Sequence, residues 1–258
     1  MATLTLKTWQ TPNWGDAINA ELVRLIAGPG HDIVAVPFNI RLNVENYVIV
    51  GSTLKAADDR SIVWGSGFLN NLEVCAGKTP RIKAVRGPKT RNRLLEIGVE
   101  CPEIFGDPVL LFPRYYQPKL KKKYALGIVP HWRDDFHPLV KKLTTSGSMV
   151  KIKHAVGNYR FIDLINQCEI IASSSLHGLI VAEAYGIPNI FIRFFEQDLF
   201  KFHDYFESIN RKIVEPIDCS NGIPFDRIID KCSYGKYNHE TSIDLDRLYD
   251  ACPFKPEE

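Results

Sequence analysis

The 258-residue chain lacks the features that mark membrane-spanning and secreted proteins. No apolar run approaches the ~20 residues that a membrane-spanning helix requires. The N-terminal residues lack the charged flank and the long apolar core of a signal peptide, and no Asn-X-Ser/Thr sequon occurs. We therefore expect a protein of the cytoplasm.

Cysteine is scarce, and no two cysteines are close in the sequence. The six cysteines form no CxxC pair, so the usual signature of a zinc ribbon or a redox motif is missing. A chain of this length does not need disulfides to fold. Asp134 and Asp135 have no histidine pattern near them that would complete a metal site. We expect free, mostly buried thiols in a reducing compartment, and no metal or other cofactor.

An excess of charge of one sign is also absent. The 32 basic and 30 acidic residues leave a net charge of +2, which is too balanced to predict nucleic-acid binding. The one tight basic run consists of three lysines at residues 121–123. Such a run is typical of a solvated linker, and the alternative is contact with an anionic membrane surface.

Three common catalytic signatures are missing as well. The chain contains no P-loop, HExxH or GxSxG sequence. Standard nucleotide-binding, zinc-protease and serine-hydrolase mechanisms therefore lose support.

The chain does contain a regular alternation of short apolar runs and helical patterns. After residue 123, strands are predicted at residues 124–129, 149–153, 169–172 and 189–194, with helices at residues 137–143, 159–167 and 176–185. The first half is less regular, with strands predicted at residues 4–9, 32–37, 47–51, 62–65 and 81–85. This alternation is the signature of βαβ units and parallel sheets. We predict an α/β fold with two Rossmann-like αβα domains facing a cleft.

A proline- and tyrosine-rich stretch before the lysine run predicts a linker between the two domains. We place the N-terminal domain at residues 1–114, the linker at 115–123, the C-terminal domain at 124–215, and a tail that packs back on the fold at 216–258.

The most informative stretch is the sequence SSSLHG, which lies between a predicted buried strand and a predicted helix. Free backbone N–H groups and the positive end of the helix dipole favour an anion at such a point. A histidine in the first helical turn adds a proton or a charge. The alternative is plain helix capping by serine. The candidate anion-binding residues here are Ser173, Ser174, Ser175, His177 and Gly178.

Other polar residues also follow predicted strands. Arg86 can hold a carboxylate or a phosphate with two parallel hydrogen bonds, and the alternative is a surface arginine. Gly65 and Ser66 allow a ligand to approach the backbone closely, although the third glycine of a dinucleotide fingerprint is missing. His131 and Trp132 suit acid–base work and sugar stacking, and the alternative is a surface histidine against a tryptophan.

Asp16 stands at the start of the first predicted helix. It is either an N-cap, worth ~1 kcal/mol, or a general base that takes a proton from a sugar hydroxyl. In the second case Asn13 and Gly15 shape the turn that presents it. Ligands of open parallel sheets bind beyond the carboxyl ends of the strands, so these candidates could face one cleft.

The motifs occur in the order of one known family. The resemblance to the polysaccharide pyruvyl transferase family rests on NWGD at residues 13–16, VRGP at 85–88, GDP at 106–108, GIVPH at 127–131, SSSLHG at 173–178 and AYGIP at 184–188. The sequence KFHDYF at residues 201–206 is similar to a later segment of that family. No single motif is decisive, but their order and spacing make the resemblance specific.

The resemblance implies a fold similar to GT-B glycosyltransferases, with the acceptor on the N-terminal domain and phosphoenolpyruvate on the C-terminal domain. It implies transfer of pyruvate from phosphoenolpyruvate to a sugar, usually as a cyclic ketal on two hydroxyls. His177 is then the acid or the partner of the phosphate, and His131 or Asp16 is the base. A lipid-linked acceptor would place the enzyme at the inner face of the cytoplasmic membrane.

One position departs from the family pattern. Many members have an arginine two residues before the histidine of the serine element, where this chain has Ser175. Arg86 or a lysine would then supply the missing positive charge.

Two other functions compete with pyruvyl transfer. A glycosyltransferase of the same architecture would use a nucleotide sugar, and protection by a nucleoside diphosphate but not by phosphoenolpyruvate would reveal it. A non-catalytic carbohydrate-binding protein would bind saccharides and release no phosphate.

Overall fold

The computed structural model describes residues 2–11, 13–213, 215–233 and 242–256. The chain divides into two compact units. The first unit comprises Met1–Tyr115, Asp198–Ile213 and Ser242–Glu258, and the second comprises Tyr116–Gln197 and Val214–Thr241. The sequence-based boundaries placed residues 198–213 in the second domain, whereas the contacts group them with the first unit.

The helices and strands alternate along most of the chain. In chain order the strands are β1 (Ala2–Thr8), β2 (His31–Pro37), β3 (Asn46–Val48), β4 (Ser61–Trp64), β5 (Arg81–Ala84), β6 (Tyr124–Val129), β7 (Met149–Lys151), β8 (Cys168–Ser173), β9 (Asn189–Arg193) and β10 (Ile217–Asp218). The α-helices are α1 (Trp14–Ala27), α2 (Pro88–Glu96), α3 (Pro138–Lys142), α4 (Asn158–Asn166), α5 (Leu176–Ala184), α6 (Phe200–Ser208), α7 (Phe225–Ser233) and α8 (Leu245–Asp250). Short 3₁₀ helices span Leu54–Ala56, Pro108–Arg114 and Trp132–Phe136.

Each unit contains one five-stranded sheet in which every observed strand pair is parallel. The strand orders are β2-β1-β3-β4-β5 in the first unit and β10-β9-β8-β6-β7 in the second. Read from the opposite edge, the second order is the same as the first, with β6 in the place of β1. The predicted α/β fold with parallel sheets is confirmed.

This strand order creates a topological switch point in each sheet, where consecutive connections run to opposite sides. The switch points lie between β1 and β3 in the first unit, and between β6 and β8 in the second. Ligands of doubly wound sheets bind beyond the carboxyl ends of the strands at such points. Residues that follow these four strands are therefore the first place to look for a site.

In the first unit, the spacing of apolar residues explains why α1 forms and which face it buries. Ile18, Leu22 and Ile26 recur at intervals of one helical turn and are buried, as expected for an amphipathic helix covering a sheet. Gly28 then ends the helix with φ of 75°, a conformation that favours glycine. The apolar core of this unit includes Val48, Val63, Phe68, Val85 and Leu94.

In the second unit, strands buried on both faces carry continuous apolar runs. The core consists of side chains from β6, β8 and β9 together with residues from α3 and α7, among them Ile128, Ala172, Ile190, Val140 and Ile228. Four of the six cysteines are buried, namely Cys101, Cys168, Cys219 and Cys252. No helix within the described residues is long and apolar enough to span a membrane.

Three elements were not predicted from the sequence, namely α6, β10 and α7. The predicted tail contains α8, which includes Leu248 and belongs to the first unit. There the Trp64 indole donates to the carbonyl oxygen of Leu248 at 2.9 Å. This bond ties the end of the chain to β4.

Candidate functional site

The serine element lies at the switch point of the second sheet. β6 and β8 pair in parallel, with Val129 opposite Ser173 as the last pair of the register. The chain leaves both strands at this level, so His131 and Ser174 follow at the same edge of the sheet. The backbone N–H of His131 donates to Ser174 Oγ at 3.0 Å, which joins the two connections directly.

Ser173 and Gly178 shape the turn between β8 and α5. The hydroxyl of Ser173 is fully buried and lies 2.7 Å from the carbonyl oxygen of Ser175 and 3.0 Å from that of Val129. A Cβ at Gly178 would collide with Ser173 Oγ and would lie 2.8 Å from Val129 Cγ1. Glycine at this position therefore allows the first turn of α5 to approach β6 closely.

Asp134 is a buried carboxylate that connects the two loops. Its Oδ2 accepts hydrogen bonds from the hydroxyl of Ser174 at 2.5 Å and from the backbone N–H of His131 at 3.0 Å. Burial raises the pKa of Asp134 above its ordinary value, although both hydrogen bonds oppose the shift. The sequence pattern around Asp134 was weighed only against a metal site and did not predict this role.

His131 caps the 3₁₀ helix Trp132–Phe136. Its Nδ1 accepts a hydrogen bond from the backbone N–H of Arg133 at 3.3 Å. A neutral imidazole that accepts at Nδ1 carries its proton on Nε2. Because Nδ1 already accepts this hydrogen bond, it is not available to take a proton from a substrate.

Trp132 lies beside His131, with ring centroids 5.6 Å apart. The indole is 41% exposed, and the guanidinium carbon of Arg133 lies 5.3 Å from its ring centroid. An exposed aromatic face with a cation beside it is available for contact with a ligand.

The N-terminus of α5 carries the last part of this cluster. Ser175 is the N-cap residue, but its side chain makes no capping hydrogen bond. The first helical turn therefore lacks a side-chain acceptor of the usual kind for its N–H groups. His177 lies in this turn and is half-buried. The predicted capping role of the serines does not apply to the Ser175 side chain.

The switch point of the first sheet carries Asp16. Asn13 is the N-cap of α1, so Asp16 occupies the first turn and is not the cap itself. Its Oδ2 accepts hydrogen bonds from Thr11 Oγ1 at 2.8 Å and Asn13 Nδ2 at 3.0 Å. A Cβ at Gly51 would lie 3.9 Å from Asp16 Oδ1, so the chain leaving β3 passes close to that oxygen.

Burial raises the pKa of Asp16 above its ordinary value, and the hydrogen bonds from Asn13 and Thr11 partly oppose this. A carboxylate with one hydrogen-bonded oxygen and a raised pKa is a better general base than an exposed aspartate, because its proton affinity lies closer to neutrality. Asp16 is not the N-cap of α1, and its role as a general base stays a prediction.

Arg86 is fully buried within the first unit. Its Nε donates to Asp204 Oδ2 at 3.0 Å, its Nη1 donates to Ser52 Oγ at 2.9 Å, and its Nη2 donates to the carbonyl oxygen of Phe68 at 2.6 Å. Thr90 adds two further hydrogen bonds to the Asp204 carboxylate. The guanidinium thus holds α6 against the end of β5.

Gly65 and Ser66 line the same buried region. Gly65 adopts φ of 88°, and a Cβ there would collide with the ring of Pro108. Ser66 is fully buried, and its hydroxyl donates to the carbonyl oxygen of Gly51 at 2.9 Å. These packing contacts account for a glycine at position 65 and a serine at position 66.

Asp107 is a further buried carboxylate near Arg86. Burial raises its pKa to about 6, against the hydrogen bond from Val109 N–H and the positive charge of Arg86. Its side chain caps the 3₁₀ helix Pro108–Arg114 by accepting from Val109 N–H at 3.0 Å. The aspartate of the GDP sequence thus has a structural role, as the cap of this 3₁₀ helix.

The structure brings the predicted residues of the second unit into one cluster, which groups the serine element with His131 and Trp132. In the first unit the predicted residues form two groups, Asp16 with Asn13 and Arg86 with Ser66. Within the described residues, no group of three or more His, Cys, Asp or Glu side chains is placed to hold a metal ion.

The fold and the two switch-point clusters define an α/β protein of the doubly wound class with polar sites at the carboxyl edges of its sheets. Residues 13–193 match the family model described as polysaccharide pyruvyl transferase. This match covers most of the chain, so the protein belongs to the polysaccharide pyruvyl transferase family. The resemblance inferred from the motifs is thereby confirmed.

Two curated proteins are similar in sequence. The uncharacterized protein L143 of Acanthamoeba polyphaga mimivirus is 30% identical over 172 residues, covering 62% of this chain and 58% of that protein. The succinoglycan biosynthesis protein ExoV of Rhizobium meliloti (strain 1021) is 28% identical over 185 residues, covering 69% of this chain and 55% of ExoV. The chain therefore spans a little over half the length of these curated relatives.

Proposed function

We propose that this protein transfers a pyruvyl group from phosphoenolpyruvate to a sugar of a polysaccharide repeat unit, forming a cyclic pyruvate ketal and releasing phosphate. The observation that carries the proposal is the family match over residues 13–193. The similarity of this chain to a succinoglycan biosynthesis protein is consistent with an exported polysaccharide as the product. The clusters at the two switch points supply the groups that this reaction needs.

The donor site is assigned to the second unit. Phosphoenolpyruvate carries a phosphate and a carboxylate, so its site needs N–H donors and positive charge. The first turn of α5 offers backbone N–H groups with the positive end of the helix dipole, and Ser175 leaves them without a side-chain cap. His177 lies in the same turn, and His131 lies just beyond the neighbouring strand β6.

The reaction begins when a general acid protonates the terminal carbon of the enol, which makes the neighbouring carbon oxocarbenium-like. A sugar hydroxyl forms a bond to that carbon and gives its proton to a base. The bond to the phosphate oxygen then breaks, and a second hydroxyl attacks the same carbon to close the ring. The two hydroxyl protons end on the new methyl group and on the released phosphate, so the atoms balance.

His177 is assigned as the acid or as the partner of the phosphate, because it lies where the donor's phosphate is expected. Asp16 is assigned as the base for the acceptor hydroxyl, because its pKa is raised and its Oδ1 faces the backbone of Gly51. His131 is the second choice as base, since its Nδ1 already accepts a hydrogen bond. The chemistry requires no metal or other cofactor.

Arg86 was expected to bind the donor in place of the arginine that many family members have at the position of Ser175. Its side chain has no exposed surface, and three of its N–H groups meet acceptors of the chain. We therefore assign Arg86 a supporting role, in which it fixes Ser52 at the carboxyl edge of the first sheet.

The proposal includes the architecture and the location of the enzyme. We propose a GT-B-like enzyme of the bacterial cytoplasm that adds pyruvate to capsule or exopolysaccharide repeat units and does not bind nucleic acid. With a lipid-linked acceptor, Lys121 and Lys123 would contact anionic lipids at the inner face of the membrane, worth about 1 kcal/mol for each basic residue. Lys122 instead donates to the carbonyl oxygen of Cys168.

The test is phosphate release from phosphoenolpyruvate with a panel of free and lipid-linked saccharides, followed by mass spectrometry of the product. We expect release only with an acceptor, and a product heavier by one pyruvyl unit less water. Thermal protection by a nucleoside diphosphate without any phosphate release would instead favour a glycosyltransferase. Saccharide binding with neither result would indicate a non-catalytic carbohydrate-binding protein.

A further inference from the structure

Two aromatic side chains stack on each other at the carboxyl edge of the first sheet. β1 and β2 pair in parallel, with Thr8 opposite Pro37 at the end of the register. Phe38 N–H then donates to the carbonyl oxygen of Thr8 at 2.9 Å. The next residues, Trp9 and Phe38, are therefore neighbours, and their rings stack with centroids 4.2 Å apart and an interplanar angle of 16°.

Phe38 covers one face of the Trp9 indole, yet the tryptophan is still 41% exposed. Lys55 Nζ lies 5.9 Å from the Trp9 centroid and 5.7 Å from the Phe38 centroid. Nearly equal distances place the ammonium at the rim of the stack, away from the outer face of the indole. That outer face is the part of Trp9 that a planar or pyranose ring could cover.

The ammonium at the rim is held in place. Lys55 forms an ion pair with Glu73 at 3.2 Å, and the Glu73 side chain is 12% exposed. Glu73 Oε2 also accepts from the backbone N–H of Leu69 at 2.7 Å. The aromatic stack is thus bordered by a cation whose position is set by the Glu73 carboxylate, which places hydrogen-bond donors beside an apolar face.

The stack is also joined to the candidate base. The N–H of Thr11 donates to the carbonyl oxygen of Trp9 at 2.9 Å, and the hydroxyl of the same threonine donates to Asp16. The turn that carries the indole therefore also positions the carboxylate of Asp16. A ligand that covers Trp9 therefore lies in the same unit as the carboxylate of Asp16. Trp9 itself is two residues before Thr11 in the sequence.

We propose that the exposed face of Trp9 is a stacking platform for a pyranose ring of the saccharide acceptor, with Lys55, held by Glu73, binding a hydroxyl at the rim. A pyranose has an apolar face of C–H groups and a border of hydroxyls, which matches an aromatic face bordered by polar groups. The paired charges of Lys55 and Glu73 favour an uncharged ligand over an anion. This inference rests on the proposed function for its choice of ligand.

The platform can be tested by fluorine NMR of protein labelled with 5-fluorotryptophan. The chain has four tryptophans, and Trp9→Phe and Trp132→Phe assign the two exposed ones. The probes are cellobiose, lactose, mannobiose and each saccharide that supports phosphate release, with sorbitol as an open-chain polyol control. We expect a saturable shift of the Trp9 signal with the pyranosides and no shift with sorbitol.

Kinetics provide the second measurement. We expect Trp9→Ala to raise the KM for the acceptor about tenfold, with the KM for phosphoenolpyruvate unchanged and Trp9→Phe in between. Val34→Ala is the matched control, because Val34 is 45% exposed on β2 of the same sheet but lies within the strand.

The outcomes separate the platform from the enzyme activity. If saccharides shift the Trp9 signal but the protein releases no phosphate, the platform is supported and pyruvyl transfer is refuted. Phosphate release with the same acceptor KM in Trp9→Ala and wild type overturns the platform alone. A shift confined to Trp132 also overturns it and moves saccharide binding to the second unit.

Discussion

The hydroxyl of Ser174 donates to the carboxylate of Asp134 at 2.5 Å, although the two residues are 40 positions apart in the sequence. The same oxygen of Asp134 accepts the backbone N–H of His131. One buried carboxylate therefore fixes the loop after β6 against the loop after β8. Asp134 is a positioning residue for His131 and the serine element.

We predict that Asp134→Asn lowers kcat about tenfold, because the amide cannot accept both hydrogen bonds with the strength of a carboxylate. The pH dependence of kcat should shift as well, since the loop that carries His131 loses its charged anchor. Asp135→Asn is the matched control, because Asp135 is a half-buried neighbour without contact to the serines. Equal pH profiles for the two variants would contradict a positioning role.

Asp16→Asn should lower kcat by about 10²–10⁴-fold, the usual contribution of a general base. In the wild type, activity should fall as the pH drops through the pKa of Asp16, which burial raises above its ordinary value. Thr11→Val removes a hydrogen bond that lowers this pKa, so the acidic limb of the kcat/KM profile should move to higher pH. A limb that stays in place would show that another group is the base.

His177→Ala should abolish most phosphate release while leaving the fold intact, because His177 is only half-buried at the N-terminus of α5. The measurement is phosphate release with phosphoenolpyruvate and a working acceptor. His154→Ala is the control, since His154 lies 3.7 Å from Asp135 and outside the serine element. Full turnover of His177→Ala would refute its assignment as acid or phosphate partner.

Arg86→Ala should destabilise the first unit by about 3–5 kcal/mol, because it leaves the buried carboxylate of Asp204 without its counter-charge. Neither side chain of this pair has any exposed surface. Arg81→Ala is the control, because the Arg81–Glu45 pair is 54% and 49% exposed and should contribute about 1 kcal/mol or less.

Urea denaturation and amide hydrogen exchange within α6 measure this difference. Asp204→Asn removes the charge but leaves an acceptor for Thr90, so we expect an intermediate loss. Similar stabilities of Arg86→Ala and Arg81→Ala would show that the buried pair contributes little.

Asp107 should make the stability of the first unit depend on pH. Its pKa is raised from 3.8 to about 6 by burial, so between these values the folded state holds a proton that the unfolded chain has lost. The stabilisation is present below pH 3.8 and is lost as the pH rises to about 6. The loss amounts to about 3 kcal/mol.

Asp107→Asn keeps an acceptor for Val109 N–H and cannot ionise, so it should gain about this amount relative to the wild type between pH 4 and about 6. Denaturant unfolding across this pH range measures the difference. Asp107→Ala serves as the control, because it should lose the cap at every pH at a cost of about 1 kcal/mol. Parallel pH curves for the wild type and Asp107→Asn would contradict the prediction.

Much of the fold could be predicted because it depends on local patterns. The bounds predicted for β6 match the observed Tyr124–Val129, since the apolar run is closed by a lysine run and a proline.

The helix α6 was not predicted from the sequence. Five of its nine residues are buried, including Asp204, so its burial reflects packing against distant elements rather than a simple amphipathic pattern.

The candidate site was predicted in part. Strand–helix boundaries identified the serine element, His131 and Asp16, because motif position is a local property. The partners of these residues depend on long-range contacts, such as Ser174 with Asp134 and Arg86 with Asp204, which no spacing in a single sequence reveals. One signal could have identified Asp134, since it stands three residues after His131 as in a capping box.

The return of residues 198–213 to the first unit has a consequence for biosynthesis. Arg86 leaves the ribosome 118 residues before Asp204, so the nascent N-terminal sheet contains a cation whose counter-ion has not yet been translated. Burying that cation alone is costly, and the first unit therefore completes its folding only after most of the second has been synthesised. A product truncated before α6 should be retained by chaperones or degraded.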